Sequence, residues 1–403
     1  MLIVEKNIEG GFNKVRLNSI SSLLNLKGAI VKRIKQSNNL LEIYAETSKS
    51  TQICPCCGKK TSRVHDYRTQ RIKDLPIHSV HSVIVLRKRR YVCSCGKRFY
   101  EKFTFLPRYH RMTSRVYSSI IANLRSNYST KHIANNHNIS TATVVRILKL
   151  LNYSCCSLPE VLSIDEFKGN SGGAKYHCIL VDPVNRKVLD ILKDRKSHIL
   201  TDYFRKFKDR SKVKYFVTDM WRPYVELAKR YFKNATIVID KYHFIRYNIW
   251  AIEKVRKRVQ KALSDKLRKY FKRSKKLILA KKGSLDEQSK TELEIMLLYS
   301  EDLRRAHYIK ELFYQVTAAT SSTEAKNLLI KWINIARTSG VKEYISCANT
   351  LNNWKNEIAN SFDVPYTNGC TEGFNNKIKV IKRNAFGFRN FSNFRTRILH
   401  CCN

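Results

Sequence analysis

Acidic residues are scarce in this sequence of 403 residues. It contains 32 Asp and Glu against 77 Lys and Arg, which gives a formal net charge of +45. Lys and Arg side chains that neutralise phosphates release counterions, and so supply affinity that does not depend on base sequence. The charge therefore predicts a polyanion as partner. The alternative is a basic surface that serves only solubility.

Two kinds of hydrophobic segment are also lacking. No stretch approaches 18 apolar residues without a charge, as a membrane-spanning helix would require. The first residues, MLIVEKNIEGGFNKV, include Glu5 and lack a basic region followed by an apolar one, so we expect no secretory signal. Gly and Pro are few, 13 and 7, in a chain rich in Lys, Ile and Asn. We expect a bacterial, cytoplasmic protein with no membrane partner.

Twelve cysteines occur in a chain for which we expect no export. Metal ligation or buried thiols are therefore favoured over a disulfide framework. Cys54 and Cys57 form a CxxC pair, Cys93 and Cys95 form a CxC pair, and a glycine follows each pair at once. Two such pairs are typical of a tetrahedral Zn²⁺ site, in which glycine lets backbone amides approach the thiolates.

Other interpretations of the cysteine-rich segment stay open at this point. The four thiols could be buried and free, Cys56 could replace a member of the first pair, and His65 is a spare ligand. The segment VHSVIVLRKRRYVC predicts a half-buried strand from about Val80. Arg89 and Arg90, with their basic neighbours, would then contact phosphates or form a solvated edge. Upstream, AIVKRIKQSNNLLEIYAE predicts a β-hairpin around the two adjacent asparagines.

The segment STKHIANNHNISTATVVRILKLL has the length and punctuation of a helix-turn-helix. A short helix over 129–136 would be followed by a turn near 137–138 and by a second helix capped by Ser140. The second helix would present Thr141, Thr143 and Arg146 to a DNA major groove. The alternative is an ordinary pair of packed helices.

Beyond Pro159 the pattern predicts a strand, a hairpin, a helix, a strand, a helix and a strand, which is a mixed α/β sheet. Asp165 and Asp219 follow apolar runs, and acids at the ends of neighbouring strands can converge. Their mutual repulsion is tolerated when a divalent cation neutralises them. The alternative is a pair of helix caps or turn formers. A two-metal site needs a third carboxylate, and Glu372 stands out as the only acid in 366–403.

Six motifs together resemble the ISL3 family of insertion-sequence transposases, over most of the chain from Cys54 to about Arg397. They are CPCCG, RRYVC, SIDEFKG, VTDMWRPY, IDKYHF and NGCTEGFNNKIKVIKRNAFGFRNF. The resemblance implies an RNase H-like catalytic domain with a DDE triad, which falls by motif on Asp165, Asp219 and Glu372. It also implies Mg²⁺ or Mn²⁺ held by these acids for in-line attack on a DNA phosphodiester.

Further residues are assigned around this triad. His243 matches the IDKYHF motif and would support the metal site or contact DNA, and Asp240 could equally cap the next helix. The helix of Glu372 carries four basic residues that would hold the DNA backbone: Lys377, Lys379, Lys382 and Arg383. The segment 246–282 contains 15 Lys and Arg but only two acids. The spacing of its apolar residues from 249 to 271 predicts one amphipathic helix, and the excess of basic residues predicts that this helix faces DNA.

We therefore predict an α/β protein: an RNase H-like mixed-sheet catalytic domain with an α-helical insertion, preceded by a small zinc ribbon and a helix-turn-helix. The expected boundaries are a hairpin region (1–50), a zinc-binding domain (51–106), a helix-turn-helix domain (107–152), a catalytic domain (159–245 and 363–403) and a helical insertion (246–362). The expected function is metal-dependent DNA cleavage and strand transfer. Its partners would be terminal inverted repeats and target DNA, with a homodimer on paired ends and a nucleoid location when bound to DNA. An inactive DNA-binding regulator is the alternative. A zinc hydrolase is not, because four Cys ligands leave no open coordination position.

Overall fold

The computed structural model describes Leu24, Leu26 and residues 28–403. The chain divides into two compact units. The first comprises the described residues up to Asn152 and the segment Arg383–Phe386, and the second comprises Tyr153–Lys382 and Gly387–Asn403. The rest of the predicted region 1–50 lies outside the described residues.

The first unit contains a five-stranded sheet and a separate two-stranded pair. Its strands are β1 (Ala29–Ser37), β2 (Leu40–Thr47), β3 (Gln52–Ile53), β4 (Lys60–Thr61), β5 (Val64–Ile77), β6 (Val80–Val92) and β7 (Arg98–Tyr100). The large sheet has the order β1-β2-β6-β5, with β7 also paired to β6, and β3 pairs with β4. The hairpin of β1 and β2 around Asn38 and Asn39 is confirmed.

Strand β6 differs from the predicted half-buried strand. It is hydrogen-bonded to β2 on one side and to β5 on the other. Five consecutive residues, Ser82 to Leu86, are all buried, so both faces of the strand are covered there. The sequence pattern could not show that two other strands cover its edges.

Three helices complete the first unit: α1 (Ser114–Arg125), α2 (Thr130–Asn136) and α3 (Thr141–Leu150). Ser129 and Ser140 cap the second and third, since each hydroxyl accepts a hydrogen bond from the backbone N–H three residues on. Asn138 in the turn has a φ of 50°, a left-handed conformation that Asn tolerates well. Val116, Ile133 and Val144 bring the three helices into one hydrophobic core. The predicted helix-turn-helix is confirmed.

The second unit is built on a mixed sheet. Its strands are β8 (Val161–Ser171), β9 (Ala174–Asp182), β10 (Lys187–Leu192), β11 (Tyr215–Thr218) and β12 (Thr236–Ile239). The order is β10-β9-β8-β11-β12. β9 is antiparallel to both of its neighbours, β8 and β10, whereas β11 is parallel to both β8 and β12. The predicted succession of strands and hairpin is confirmed.

Helices pack on both faces of this sheet. On one face, Leu162, Ile164 and Leu180 join a core with α4 (Ser197–Arg205) and α5 (Arg222–Tyr231). On the other face, alternate residues such as Phe167 and Ile179 pack against α14 (Gly369–Asn384) and α15 (Phe391–Cys402). This alternation along β8 decides which of its acidic side chains faces α14.

The insertion is helical and continues the core of the first face. Its helices are α6 (Lys241–Lys261), α7 (Asp265–Arg273), α8 (Lys275–Leu279), α9 (Glu287–Leu298), α10 (Glu301–Thr317), α11 (Ser322–Thr338), α12 (Lys342–Asn352) and α13 (Lys355–Ala359). The prediction of one continuous helix from 249 to 271 is wrong, because α6 ends at Lys261 and α7 begins after Ser264. Trp332 lies in α11, whereas Trp354 precedes α13 rather than lying inside a helix. Among the described helices, none is long and apolar enough to cross a bilayer.

Candidate active site and nucleic-acid interface

The sheet topology places Asp165 and Asp219 on neighbouring strands. Strand β11 pairs in parallel with β8, and the last pair in the register is Val217 with Ser163. Asp165 and Asp219 each lie two residues beyond that pair. β11 ends at Thr218, just before Asp219, whereas β8 continues past Asp165 to Ser171, so the expectation that both acids lie at strand ends is wrong for Asp165. The parallel register still sets the two residues at the same level of neighbouring strands.

The Asp165 carboxyl group lies on the face covered by α14. Its Oδ2 accepts a 2.9 Å hydrogen bond from Nδ2 of Asn375, and its Oδ1 accepts a 2.7 Å bond from the backbone N–H of Glu166. The pKa of Asp165 is raised to about 7, mainly by burial and also by the negative charges of Asp219, Glu166 and Glu372, against the lowering effect of the backbone hydrogen bond. All three predicted acids therefore belong to one electrostatic environment.

Glu372 is exposed in the first turn of α14, and three contacts hold that turn on the sheet. Ser163 Oγ donates a 2.5 Å hydrogen bond to Oδ1 of Asn368 and lies 2.9 Å from Oγ1 of Thr371. Asp240 Oδ2 accepts a 2.7 Å bond from the N–H of Asn368. The start of α14 is thereby tied to both β8 and the end of β12.

Asp240 also caps α6, because its Oδ1 accepts a 2.9 Å bond from the N–H of Tyr242. It thus fulfils the capping role left open by the sequence and positions α14 as well. His243 follows in the first turn of α6. Burial raises the pKa of Asp219, and the charge of His243 opposes that rise more than any other charge does. The predicted His243 therefore acts on the charge of Asp219.

The sequence interpretation missed an ion pair next to these acids. Glu166 pairs with Arg195, whose guanidinium carbon lies 4.9 Å from the ring centroid of Trp221 and 4.7 Å from that of Tyr176. The charge of Glu166 raises the pKa of Asp219, and that of Arg195 lowers it. The adjacent acids of SIDEF were a visible signal for Glu166, whereas nothing in the sequence singled out Arg195.

The donor set fits a hard divalent cation. It consists of carboxylate oxygens, the ligands that Mg²⁺ and Mn²⁺ prefer. Beside them Oδ1 of the buried Asn375 lacks a hydrogen-bond partner. Within the part of the chain that the structure describes, the carboxylates are less tightly gathered than the cysteines, which alone form a group with all ligand atoms within 4.8 Å of one another.

The four predicted cysteines converge in the first unit. Sγ of Cys54 lies 3.7 Å from that of Cys95, and Sγ of Cys57 lies 3.5 Å from that of Cys93. Tetrahedral Zn²⁺ with bonds of about 2.3 Å separates its sulfurs by about 3.8 Å, so the donors fit the ion. The N–H of Cys95 is the main cause that lowers the pKa of Cys93 to about 6, whereas contacts with the neighbouring thiols raise the pKa of Cys95 to about 12. The convergence of the four sulfurs, rather than their pKa values, supports the site.

The same region decides between the alternative ligands. Cys56 is exposed and lies outside the four-cysteine group. His65 Nδ1 lies 3.3 Å from a carboxylate oxygen of Asp66 instead of joining the group. The CxC pair serves as well as a CxxC pair because Gly96, with a φ of 81°, closes a tight turn onto the carbonyl of Cys93.

The prediction that Arg89 contacts phosphate needs correction. Arg89 is buried, and its Nη1 donates a 2.7 Å hydrogen bond to the carbonyl of Thr47 and a 3.4 Å bond to Oε2 of Glu101. Successive side chains of β6 point to opposite faces of the sheet, and that of Arg89 points towards the interior. Arg90 is half-buried, 3.5 Å from Asp66, and stays a candidate.

Helix α3 presents two of its three predicted residues to solvent. Thr141 and Arg146 are exposed, whereas Thr143 is half-buried and its Oγ1 lies 3.0 Å from Oγ of Ser140. Thr143 therefore serves the helix cap. Lys149, one turn beyond Arg146 on the exposed surface, was missed.

The four basic residues of α14 separate into two groups. Lys377 donates to the carbonyl of Cys401, and Lys382 donates a 2.6 Å bond to the carbonyl of Lys168. Lys379 and Arg383 are exposed. Lys379 lies seven residues after Glu372, and so on the same helix face.

The basic surface expected in the insertion is reduced by internal ion pairs. Arg256 is buried and bonds Glu253 through Nε at 2.8 Å. Arg258 bonds Glu343 at 2.7 Å and Asp302 at 2.7 Å. Arg256 also donates a 3.2 Å bond from Nη1 to the carbonyl of Phe271 in α7, so both arginines link α6 to other parts of the insertion rather than facing a polyanion.

Comparison with known proteins connects these features. A family model described as a transposase matches residues 162–398, which is more than half of the chain. The chain belongs to the ISL3 family of transposases. A zinc-finger model of the transposases of IS204, IS1001, IS1096 and IS1165 matches residues 50–95, and the helix-turn-helix model of the ISL3 family matches residues 101–152.

Two characterised proteins resemble this ISL3 family member to different extents. The transposase for insertion sequence element IS1001 of Bordetella parapertussis is 27% identical over 369 residues, covering 89% of this chain and 90% of that protein. An ATP-dependent protease of Lactococcus lactis subsp. lactis is 45% identical over 56 residues, covering 14% of this chain and 18% of that protein. The second match is too short to bear on the function of the whole chain.

Proposed function

We propose that the chain is a DNA transposase that binds the ends of its insertion sequence and catalyses metal-dependent phosphodiester cleavage and strand transfer. The observation that carries this proposal is the parallel register of β8 and β11. It sets Asp165 and Asp219 at the same level of neighbouring strands, and the charge of Glu372 on α14 acts on Asp165. The strand order β10-β9-β8-β11-β12, an antiparallel meander continued by two parallel strands, supports an RNase H-like fold.

Asp165, Asp219 and Glu372 would hold Mg²⁺ or Mn²⁺. Bound there, the ions would activate a water or a 3′-hydroxyl as nucleophile and stabilise the leaving oxygen. Asp165 must lose its proton to act as a ligand, and its pKa of about 7 allows this near neutral pH. Asn375 orients one oxygen of Asp165, while His243 favours the charged form of Asp219.

The DNA contacts would be divided between the modules. Thr141 and Arg146 on α3 would read a terminal repeat in the major groove, whereas Lys379, Arg383 and Arg90 would contact backbone phosphates. Cys54, Cys57, Cys93 and Cys95 would hold a structural Zn²⁺ that stiffens the end of the β5–β6 hairpin. Paired ends would require a homodimer, acting in the bacterial cytoplasm on the nucleoid.

The test is strand cleavage of a duplex that carries the terminal repeat flanking the gene. Asp219→Asn should abolish Mg²⁺-dependent cleavage while binding of the same duplex stays unchanged. Asp202→Asn is the matched control, because Asp202 is an exposed acid on α4, with 69% of its side chain accessible. Unchanged cleavage by Asp219→Asn would refute the triad. A wild-type protein that binds the duplex but never cleaves it would instead be a DNA-binding regulator.

A further inference from the structure

Phe386 is the most exposed large hydrophobic residue in the described part of the chain. It is 98% exposed, although a phenyl ring in water contributes nothing to folding. It lies in the loop between α14, which carries Glu372, and α15. Packing therefore gives no reason for an aromatic residue at this position.

The backbone around Phe386 makes its presence less favourable still. The N–H of Phe386 donates to the carbonyl of Arg383 at 3.0 Å, and the N–H of Gly387 donates to the carbonyl of Lys382 at 2.9 Å. This pair of bonds is the Schellman motif that ends many helices, with Phe386 at the left-handed position that glycine normally occupies. Its φ is 53°, a strained value for a residue with a bulky side chain. The sequence places glycine one residue later instead.

The two hydrogen bonds fix the backbone from which the ring projects. The ring is therefore presented to solvent from an ordered helix end rather than from a loose loop. An aromatic side chain held rigidly loses little conformational entropy when it meets a flat partner.

The surroundings indicate the chemistry of that partner. Arg383 and Arg389 on either side are exposed, and no acid follows Glu372 in the chain. An exposed ring within a basic loop matches the pattern of single-stranded nucleic-acid sites, where bases stack on aromatic side chains and cations contact the backbone. A protein partner would need an apolar rim around the ring. The neighbouring apolar residues Ala385 and Phe388 are partly buried, whereas the exposed neighbours are polar residues and glycine: Arg383, Asn384, Gly387, Arg389 and Asn390.

We propose that Phe386 stacks on an unpaired or unstacked DNA base while Arg383 and Arg389 contact the adjacent phosphates. This inference rests on the proposed function, because it assigns a residue to the handling of the DNA that Glu372 helps to cleave. From Glu372 to the end of α14 the helix rises roughly 18 Å. Phe386 therefore follows the end of the helix opposite to the one that carries Glu372.

The experiment compares two probes with the full-length protein. One is a fully paired duplex, and the other is the same duplex with a single-stranded 3′ tail of thymidines. Phe386→Ala should weaken binding of the tailed probe on the order of tenfold and leave binding of the paired probe unchanged. Phe386→Trp should retain wild-type affinity for the tail. Tyr308→Ala is the matched control, because Tyr308 is an exposed aromatic residue of the insertion at 60% accessibility.

Phe386→Gly separates a DNA role from a structural one. Glycine suits the left-handed position, so this variant should unfold at a temperature equal to or above that of the wild type. Its affinity for the tailed probe should fall as much as that of Phe386→Ala. A tail containing 5-iodouracil should form a photo-crosslink to the peptide that includes Phe386. Equal tail binding by wild type, Phe386→Ala and Phe386→Gly, or crosslinks only elsewhere, would overturn the proposal. Metal-dependent cleavage of the paired probe by those variants would then show that the transposase function still stands.

Discussion

Nδ2 of Asn375 donates a 2.9 Å hydrogen bond to Oδ2 of Asp165, a residue 210 positions earlier in the chain. Asn375 lies three residues after Glu372, so both project from neighbouring positions on α14. The bond therefore couples the first carboxylate on the sheet to the helix that carries the third. Since the whole insertion separates these elements in sequence, Asn375 fixes a distance that the local sequence leaves undetermined.

Asn375→Ala should slow Mg²⁺-dependent cleavage about tenfold to a hundredfold, the range seen when a residue that orients a metal ligand is removed. Asp165 would keep its charge but lose its fixed orientation, so binding of the terminal repeat should not change. Single-turnover cleavage and gel-shift titration measure the two quantities. Equal cleavage rates for wild type and variant would show that the hydrogen bond has no part in catalysis. Asn376→Ala is the control, because Asn376 is the exposed neighbour on the same helix.

The Asp165 carboxyl group should make the stability of the metal-free protein depend on pH. Burial raises its pKa from 3.8 to about 7, so the folded state keeps a proton that the unfolded chain has lost. Its contribution to the free energy of unfolding is therefore highest below pH 4 and falls as the pH rises from about 4 to about 7. Asp165→Asn removes that dependence. In EDTA, the change in the free energy of unfolding that this substitution causes should be more favourable at pH 8 than at pH 4, by on the order of 3 kcal/mol. Thermal or urea unfolding of wild type and variant at the two pH values measures this change. If the variant differs from the wild type by the same free energy at pH 4 and at pH 8, the burial of the Asp165 carboxyl group is contradicted.

What the sequence could predict follows from the range of the forces involved. The helix-turn-helix was predicted because Ser129 and Ser140 cap their own helices, a purely local interaction. Asp165 and Asp219 were visible because each follows an apolar run, although β8 continues beyond Asp165 to Ser171. Arg89 was misjudged because its partner Glu101 lies beyond β7, where only the pairing of β6 with that strand brings it into contact. Asn375 and Arg195 were missed because their contacts exist only after the sheet and its helices have assembled.

Zinc binding should depend on which cysteine of the cysteine-rich segment is replaced. Cys93→Ser should abolish the stoichiometric Zn²⁺ measured by elemental analysis and lower the thermal stability of the first unit, because three thiolates leave the tetrahedral site incomplete. Cys56→Ser is a closely matched control, since Cys56 is exposed and lies outside the group of four. It should retain one Zn²⁺ per chain. Loss of zinc from Cys56→Ser, or its retention in Cys93→Ser, would require a different ligand set.

Two arginines of the first unit should respond to truncation in opposite ways. Arg89→Ala leaves the buried Glu101 carboxylate without its ion pair, which should cost about 3 kcal/mol of stability and leave the salt dependence of DNA binding unchanged.

Arg146→Ala removes an exposed cation from α3, so it should leave the unfolding temperature unchanged and weaken binding of the terminal repeat. If Arg146 contacts a phosphate, the slope of log Kd against log salt should fall by about one and binding to all sequences should weaken equally. If it reads a base, the slope should change less and discrimination against a mutated repeat should be lost. If Arg146→Ala were destabilised and Arg89→Ala were as stable as the wild type, the two roles would be reversed: Arg146 would be the buried structural residue, and Arg89 would be the solvent-facing one.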